Sequence, residues 1–389
     1  MSGKSRSLAS LQKVKDNFFD SCKQKGHPEQ LSQEIYRQIE SFAGYSFCKS
    51  HSASYAVESY QSLYLKTYYP IEFMTAVINN FGGFYRTEVY VHEAKMSGAK
   101  IENPCVNRSE NYTTVEGTTI FLGFQHLKSV ETKIVNEIVQ ERNKNGNYLS
   151  LENFINRNPI GIVTLQILIF IGAFRFTGKE KNELLIKARM LLINYKPQNN
   201  NLLLIEEPVR EYQLPHLQRV PFEDAFDEIE LLDFPVSVTP FDLLKTKYRG
   251  DVMAKDLTKY HKREVKMLAY LIARKHVPTK KGDMFFGTWI DANGEFFDTA
   301  HFADSLVTYP FKGGGCYLLL GKVEVDYHFP TITITKMSKM PFIPDPRYSA
   351  ADEKRYDTQN QIKEDVSMTQ RAPYPMESEY NLPRQKMIN

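Results

Sequence analysis

Five β-rich runs crowd into about 75 residues of the chain, and no other feature limits the possible folds as much. They are VKMLAYLIARKHV from Val265, MFFGTWID from Met284, EFFDTAHF from Glu295, CYLLLGKVEVDY from Cys316 and TITITKM from Thr331. The segments TKKGD, ANG, KGGG and HFP separate them. Short strands joined by glycine-bearing turns close most readily into a small Greek-key barrel. Upstream, the periodicity changes. LQKVKDNFFDSCKQKG ends on a glycine suited to a helix C-cap, and PEQLSQEIYRQIESFAG opens on proline and ends on another glycine. Ala53, Ala56, Val57, Tyr60, Leu63, Tyr64 and Tyr68 keep helical spacing up to Pro70. Shorter helices follow over IEFMTAVINN and residues 86–98, then a hairpin turning at Glu116–Gly117, then paired helical units to Leu192. The expected chain is multidomain: mainly α-helical over its first two-thirds, then a five-stranded β-barrel, then a polar, proline-rich, disordered tail.

Composition closes several other possibilities. The longest apolar run, Leu165 to Phe174, is half of what a membrane helix needs (about 20 residues), so no membrane partner is expected. The residues after Met1 are polar rather than apolar, unlike a signal peptide. Cys22, Cys48, Cys105 and Cys316 lie far apart without a CxxC pair, which argues against a zinc site or a disulfide scaffold and for a cytoplasmic setting. The net charge of +3 permits nucleic-acid binding without demanding it.

FAGYSFCKSHSASYAVESYQSLYLKTYYPIEFMTAVI, beginning at Phe42, resembles the fingers segment of the bacterial DNA polymerase III alpha subunit family, whose pattern there is close to F-N-K-S-H-A. GGFYRTEVYVHEAKMSGAKIENPCVNRSE continues the likeness and resembles the alpha-like error-prone branch. LGFQHLKSVETKIVNEIVQERNKNGNYLSLENFINR with IGAFRFTG resembles the family's tandem helix-hairpin-helix module. EDAFDEIELLDFPVS and HVPTKKGDMFFGTWIDANGEF resemble its connector and its oligonucleotide/oligosaccharide-binding (OB) barrel. The likeness runs in the family's order from residue 1 to about 345 and implies a C-terminal portion of such a subunit. It divides the chain into a fingers remnant (1–80), a helix-hairpin-helix module with a small preceding α/β segment (81–195), a linker or connector (196–262), an OB barrel (263–342) and the tail (343–389). The family's palm, with its paired aspartates, has no counterpart upstream of residue 41. The resemblance therefore implies no catalytic residue here, no cofactor bound by this chain, and Mg2+ only in a complete polymerase whose palm lies on another chain. A two-metal carboxylate clamp is what such phosphoryl chemistry needs. The competing readings are a stand-alone single-stranded-DNA-binding module and a truncated remnant.

The resemblance also assigns candidate residues. Lys49, Ser50 and His51 match the nucleotide-facing fingers loop, ahead of a helix N-terminus that favours phosphate; Cys48 replaces the usual asparagine. In the first hairpin, Lys128-Ser129-Val130-Glu131 stands where the family has K-G-V-G, which should weaken phosphate contact. The second keeps Gly172, with Arg175, Lys179 and Lys181 nearby. In the barrel, Arg274, Lys275, His276, Lys280 and Lys281 gather at the first strand's end, near aromatics able to stack on bases. Alternation puts Phe285 and Trp289 on one face and Phe286 and Ile290 on the other, so only one set can face solvent, and Trp289 fits a core as well as a stacking site. Expected partners are primer-template and single-stranded DNA. Gln213, Leu214 and Leu217 partly resemble a sliding-clamp peptide without its terminal aromatic.

Overall fold

The computed structural model describes residues 8–43, 49–193, 220–279 and 282–348. The chain divides into two compact units, Met1–Tyr69 and Pro70–Asn389. The first holds α1 (Leu8–Gln24), α2 (Glu29–Ala43) and α3 (Lys49–Tyr68). α1 and α2 pair through Phe18 and Phe19, whose rings meet the buried Tyr36 at 5.4 and 5.2 Å. The apolar positions of α3 keep their helical spacing yet Val57, Tyr60, Leu63, Tyr64 and Tyr68 are all exposed.

The second unit starts with α4 (Pro70–Asn79) and α5 (Thr87–Met96), joined by a tight turn. Gly82 has φ +71°, and a Cβ there would lie 2.1 Å from the Tyr90 ring, so only glycine lets the turn close. The Tyr90 hydroxyl then accepts the amides of Gly83 and Tyr85. A small sheet follows, with β3 (Thr119–Phe121) between β1 (Lys100–Glu102), parallel, and β2 (Thr114–Glu116), antiparallel. α6 (Thr132–Asn145), α7 (Leu151–Arg157), α8 (Ile162–Phe170) and α9 (Lys181–Ile193) surround a core that includes Phe124, Ile138, Tyr148, Phe154, Leu168 and Phe174. Ser150 caps α7, its side chain accepting the Asn153 amide. Leu231, Leu232, Phe234 and Val236, from α10 (Glu223–Leu232) and the residues after it, join that same core. This part of the expected linker is thus packed structure: its apolar positions are buried rather than spread along a solvated chain.

The barrel is built from β4 (Glu264–Thr279), β5 (Gly282–Asp291), β6 (Phe296–His301), β7 (Cys316–Asp326) and β8 (Phe329–Lys339). Its closed order is β4-β5-β6-β8-β7, with β6 parallel to β8 and β7 returning to β4. That order, with the short α11 (Ala303–Thr308) between the third and fourth strands, is OB-like. Six residues carry too little periodicity for α11 to show in the sequence. A bulge between Leu271 and Ala273 lets the long β4 pair with β7 by one half and β5 by the other. Met267, Leu271, Trp289, Phe297, Tyr317 and Leu319 fill the interior. Beyond the barrel the expected tail first packs back: the Ile343 amide donates to the Leu243 carbonyl at 2.7 Å, and Arg347 pairs with Asp227 of α10 at 2.6 Å. Residues 349–389 lie outside the described residues.

Candidate nucleic-acid interface

Lys49, Ser50 and His51 form the first turn of α3 rather than a loop ahead of it. Nothing in that stretch breaks a helix, so the turn extends back to Lys49. Ser50 and His51 are exposed, and the His51 ring stands edge-on to Tyr55 at 4.4 Å. The Lys49 side chain, the preceding residues 44–48, the clamp-like residues Gln213, Leu214 and Leu217, and Lys280 and Lys281 lie outside the described residues.

The two hairpins come out differently from their glycine content. Gly172 does take a left-handed φ of +76° with open space beside it. However, the Gly172, Ala173 and Arg175 amides already donate to Ile169, Leu168 and Gly172 carbonyls. The nearby cations are also engaged. Arg175 donates to the Asn103 and Pro104 carbonyls and pairs with Glu102 at 3.2 Å. Lys179 pairs with Glu183 at 2.5 Å, and Lys181, largely buried, pairs with both Asp224 and Asp227 at 2.6 Å. This pairing competes with a phosphate most strongly at Lys181, whose Asp227 partner is buried, and only weakly at the exposed Lys179. At the first hairpin, Ser129 adopts φ +62°, the conformation a glycine would have supplied. The amides of Ser129, Val130 and Glu131 have no acceptor among the described residues, so this hairpin presents open donors. Lys128 is tied to Asp233 and to the Leu231 carbonyl.

In the barrel, the alternation along β5 holds, and burial decides between its two sets. Trp289 is fully buried: its Nε1 donates to Thr299 Oγ1 at 2.7 Å and its ring stacks on Phe311. Trp289 is therefore a core residue and cannot stack on a base, because the interior side of β5 is covered by the closed barrel. Phe285 lies at the rim on the same side, half-buried, with His276 and Phe311 at 5.0 and 5.7 Å. The Arg274 guanidinium lies over Phe285 and Phe311 at 5.8 and 5.4 Å. His276 also reaches Asp283 at 2.9 Å across the hairpin. Lys275 and Phe286 face each other in register on the outer side, both exposed. Phe311 and His301, missed in the sequence, complete this rim; alternation past Phe297 and Thr299 would have pointed His301 inward.

His301 is buried, its Nε2 against Thr299 Oγ1 at 2.8 Å, and burial pushes its pKa down from 6.5 to about 4. His126 is pushed down to about 4 by the same cause. The folded protein thus keeps His301 neutral while the unfolded chain takes up a proton first. Its contribution is complete above about pH 6.5 and is lost as pH falls toward 4, roughly 3 kcal/mol at 1.36 kcal/mol per pKa unit. Urea midpoints at pH 7 and pH 4.5 should therefore fall further for the wild type than for His301→Gln. Equal losses in the two proteins would rule out this linkage.

Among the described residues no group of three or more His, Cys, Asp or Glu side chains is placed to hold a metal ion. No helix among them is long and apolar enough to cross a membrane.

Sequence comparison puts these elements in context. A family model described as a helix-hairpin-helix motif matches residues 98–184. The DNA polymerase III subunit alpha of Aquifex aeolicus is 31% identical over 283 residues, 70% of this chain and 23% of that protein. That of Staphylococcus epidermidis is 29% identical over 336 residues, 83% of this chain and 31% of that protein. A solved OB-fold domain of replication protein A from Methanococcus maripaludis aligns with 21% of this chain and 86% of its own at 14% identity and a TM-score of 0.16. The chain thus spans 23% and 31% of the length of these two polymerase relatives. By sequence over most of its length, the chain is a relative of part of the DNA polymerase III alpha subunit, consistent with the C-terminal portion.

Proposed function

We propose that this chain is the DNA-binding portion of an alpha-type DNA polymerase, serving replication or repair synthesis by holding primer-template and single-stranded template. Nucleotidyl transfer would depend on palm carboxylates and Mg2+ from a partner chain. The observation that carries this reading is the order of parts: a helix-hairpin-helix match at 98–184 followed by a closed barrel of OB-like strand order, in a chain related to polymerase alpha subunits. The open Ser129–Glu131 amides suit a backbone phosphate of duplex DNA. Arg274, His276 and Phe285 at the barrel rim, with Lys275 outside it, combine charge and ring faces as single-strand sites do. The internal pairing of Arg175, Lys179 and Lys181 favours a packing role for the second hairpin, so the barrel carries most of the proposed affinity.

The test is binding of the purified chain to labelled single-stranded and primer-template DNA across a salt series. Affinity should fall steeply with salt, since each neutralised phosphate contributes a slope of about −0.7 for single strands. Replacing Lys280 and Lys281 by alanine should weaken binding and flatten that slope. A folded protein that binds neither DNA at low salt would defeat the reading and leave the truncated remnant as the better account.

A further inference from the structure

A cavity of about 200 Å³ lies where α5, the residues that follow α10 and strands β4 and β5 meet. Close-packed interiors hold few voids larger than one water, and about 150 Å³ is enough to take a benzene ring. The void is not slack packing, because tight contacts surround it. A Cβ on Gly294, in the turn after β5, would lie 2.8 Å from His92 Cε1 and 2.9 Å from Met96 Sδ. His92 Nε2 donates to the Gly294 carbonyl at 2.8 Å. On the barrel side, Arg86 pairs with Glu88 at 3.1 Å, and the Tyr270 hydroxyl accepts from Arg86 and donates to Glu88, both at 3.3 Å. Val89, Phe234, Pro240, Phe241, Ile272 and Ile290 make most of the remaining wall apolar. Met96, also on the wall, is exposed, so the cavity opens to solvent.

Lys95 brings a half-buried ammonium to this wall. Its Nζ donates to the Val236 carbonyl at 2.7 Å and forms no ion pair among the described residues. An ammonium carries three donors, so two are left over. Burial pushes the Lys95 pKa down, against the opposing charges of Glu228 and Glu88. Both carboxylates are already engaged, Glu88 by Arg86 and Tyr270, and Glu228 by the Val236 and Ser237 amides. We propose that the cavity binds a small aromatic carboxylate, its ring on the apolar wall and its carboxylate on Lys95 Nζ. This goes beyond the DNA-binding reading and does not depend on it. A carboxylate supplies two acceptors to the two spare donors, and such charge-assisted hydrogen bonds are the stronger kind. The volume, somewhat above the benzene case, suits a bicyclic ring such as indole. It does not suit a nucleotide, whose phosphates need several donors: Lys95 is the only Lys or Arg among the lining residues, all of them described. The His92–Gly294 and Lys95–Val236 hydrogen bonds set the walls before binding, so little ordering is needed. A bound ring would touch α5, the connector and the barrel at once and so stiffen the connector between them.

The experiment titrates indole-3-carboxylate into the full chain by isothermal calorimetry, beside its neutral analogue indole-3-carboxamide. The carboxylate should bind with a Kd of about 100 µM, a modest efficiency for a ligand of its size. The carboxamide should bind about 10-fold more weakly, the low end of what a hydrogen bond to a charged group contributes. Lys95→Met should abolish that preference, leaving the two probes equal. Ala292→Leu, which places a larger side chain on the wall, should weaken both probes by about 10-fold through lost space. In the wild type, bound carboxylate should slow amide exchange at Phe234, Val238 and Phe241. A folded wild type that gives neither heat nor exchange protection at about 50 times that Kd overturns the proposal. Equal wild-type affinity for the two probes overturns it as well, because Lys95 would then not be the anchor. Binding that both Lys95→Met and Ala292→Leu leave unchanged would put the probe elsewhere on the chain and overturn it too. None of these results bears on the DNA titration, which is read separately.

Discussion

Replacing Trp289 by alanine should cost the barrel about 3–5 kcal/mol, the usual range for emptying a fully buried aromatic site. The indole is 0% exposed, stacked on Phe311 at 6.1 Å and met edge-on by Tyr317 at 5.5 Å. Its removal also takes the donor from Thr299 Oγ1, which otherwise links Trp289, the Gly287 carbonyl and His301. A loss of that size is a large part of a typical domain's total of about 5–15 kcal/mol. Denaturant unfolding followed by far-UV circular dichroism would measure it, since the variant has no other tryptophan. In the wild type the same burial predicts blue-shifted emission that bound single-stranded DNA does not quench. A loss under about 1 kcal/mol, or strong quenching by DNA, would show that the indole is reachable from outside and reinstate it as a stacking residue.

Glu228→Ala should be nearly as damaging, by about 3 kcal/mol or more, although it removes no large side chain. Glu228 is 2% exposed, and its Oε2 accepts the Val236 amide at 2.7 Å, the Ser237 amide at 2.8 Å and the Ser237 hydroxyl at 2.9 Å. Its Oε1 accepts Asn103 Nδ2 at 2.6 Å, reaching the segment just after β1. Truncation orphans the buried Val236 amide, at about 1–3 kcal/mol, and takes the charged acceptor from the part-buried Ser237 and Asn103 donors. Lys95 holds the same stretch from the other side by donating to the Val236 carbonyl at 2.7 Å. Hydrogen exchange at Val236 and Ser237 should accelerate in the variant before the barrel itself loosens. Unchanged protection there would mean that the connector is held by its apolar contacts alone. Glu228→Gln, which keeps the shape and loses the charge, should fall between wild type and alanine.

Much of this molecule is legible in its sequence because local rules agree with the fold. The five strands fall where alternation and glycine turns put them, and the early helices end at the glycines and prolines that forbid continuation. Local rules fail where a residue's role depends on what packs against it from far away. Arg175, Lys179 and Lys181 read as a basic patch, yet each is bound by carboxylates at short range, and those of Lys181 come from a helix about 45 residues later. The first hairpin reads as poor because it lacks glycine, yet Ser129 takes the left-handed conformation anyway and its neighbours' amides stay open.

By itself the sequence determined the kinds of element, their order and the alternation that splits the β5 side chains into two sets, because those depend only on steric preferences and period. Only the tertiary structure decided which set is buried, because that follows from barrel closure and from α5 and the connector covering one end of the outer face. It alone also brought Tyr85 onto a barrel whose strands lie some two hundred residues further along the chain. No local period encodes a contact across that separation; it arises when apolar surface from both parts is buried together.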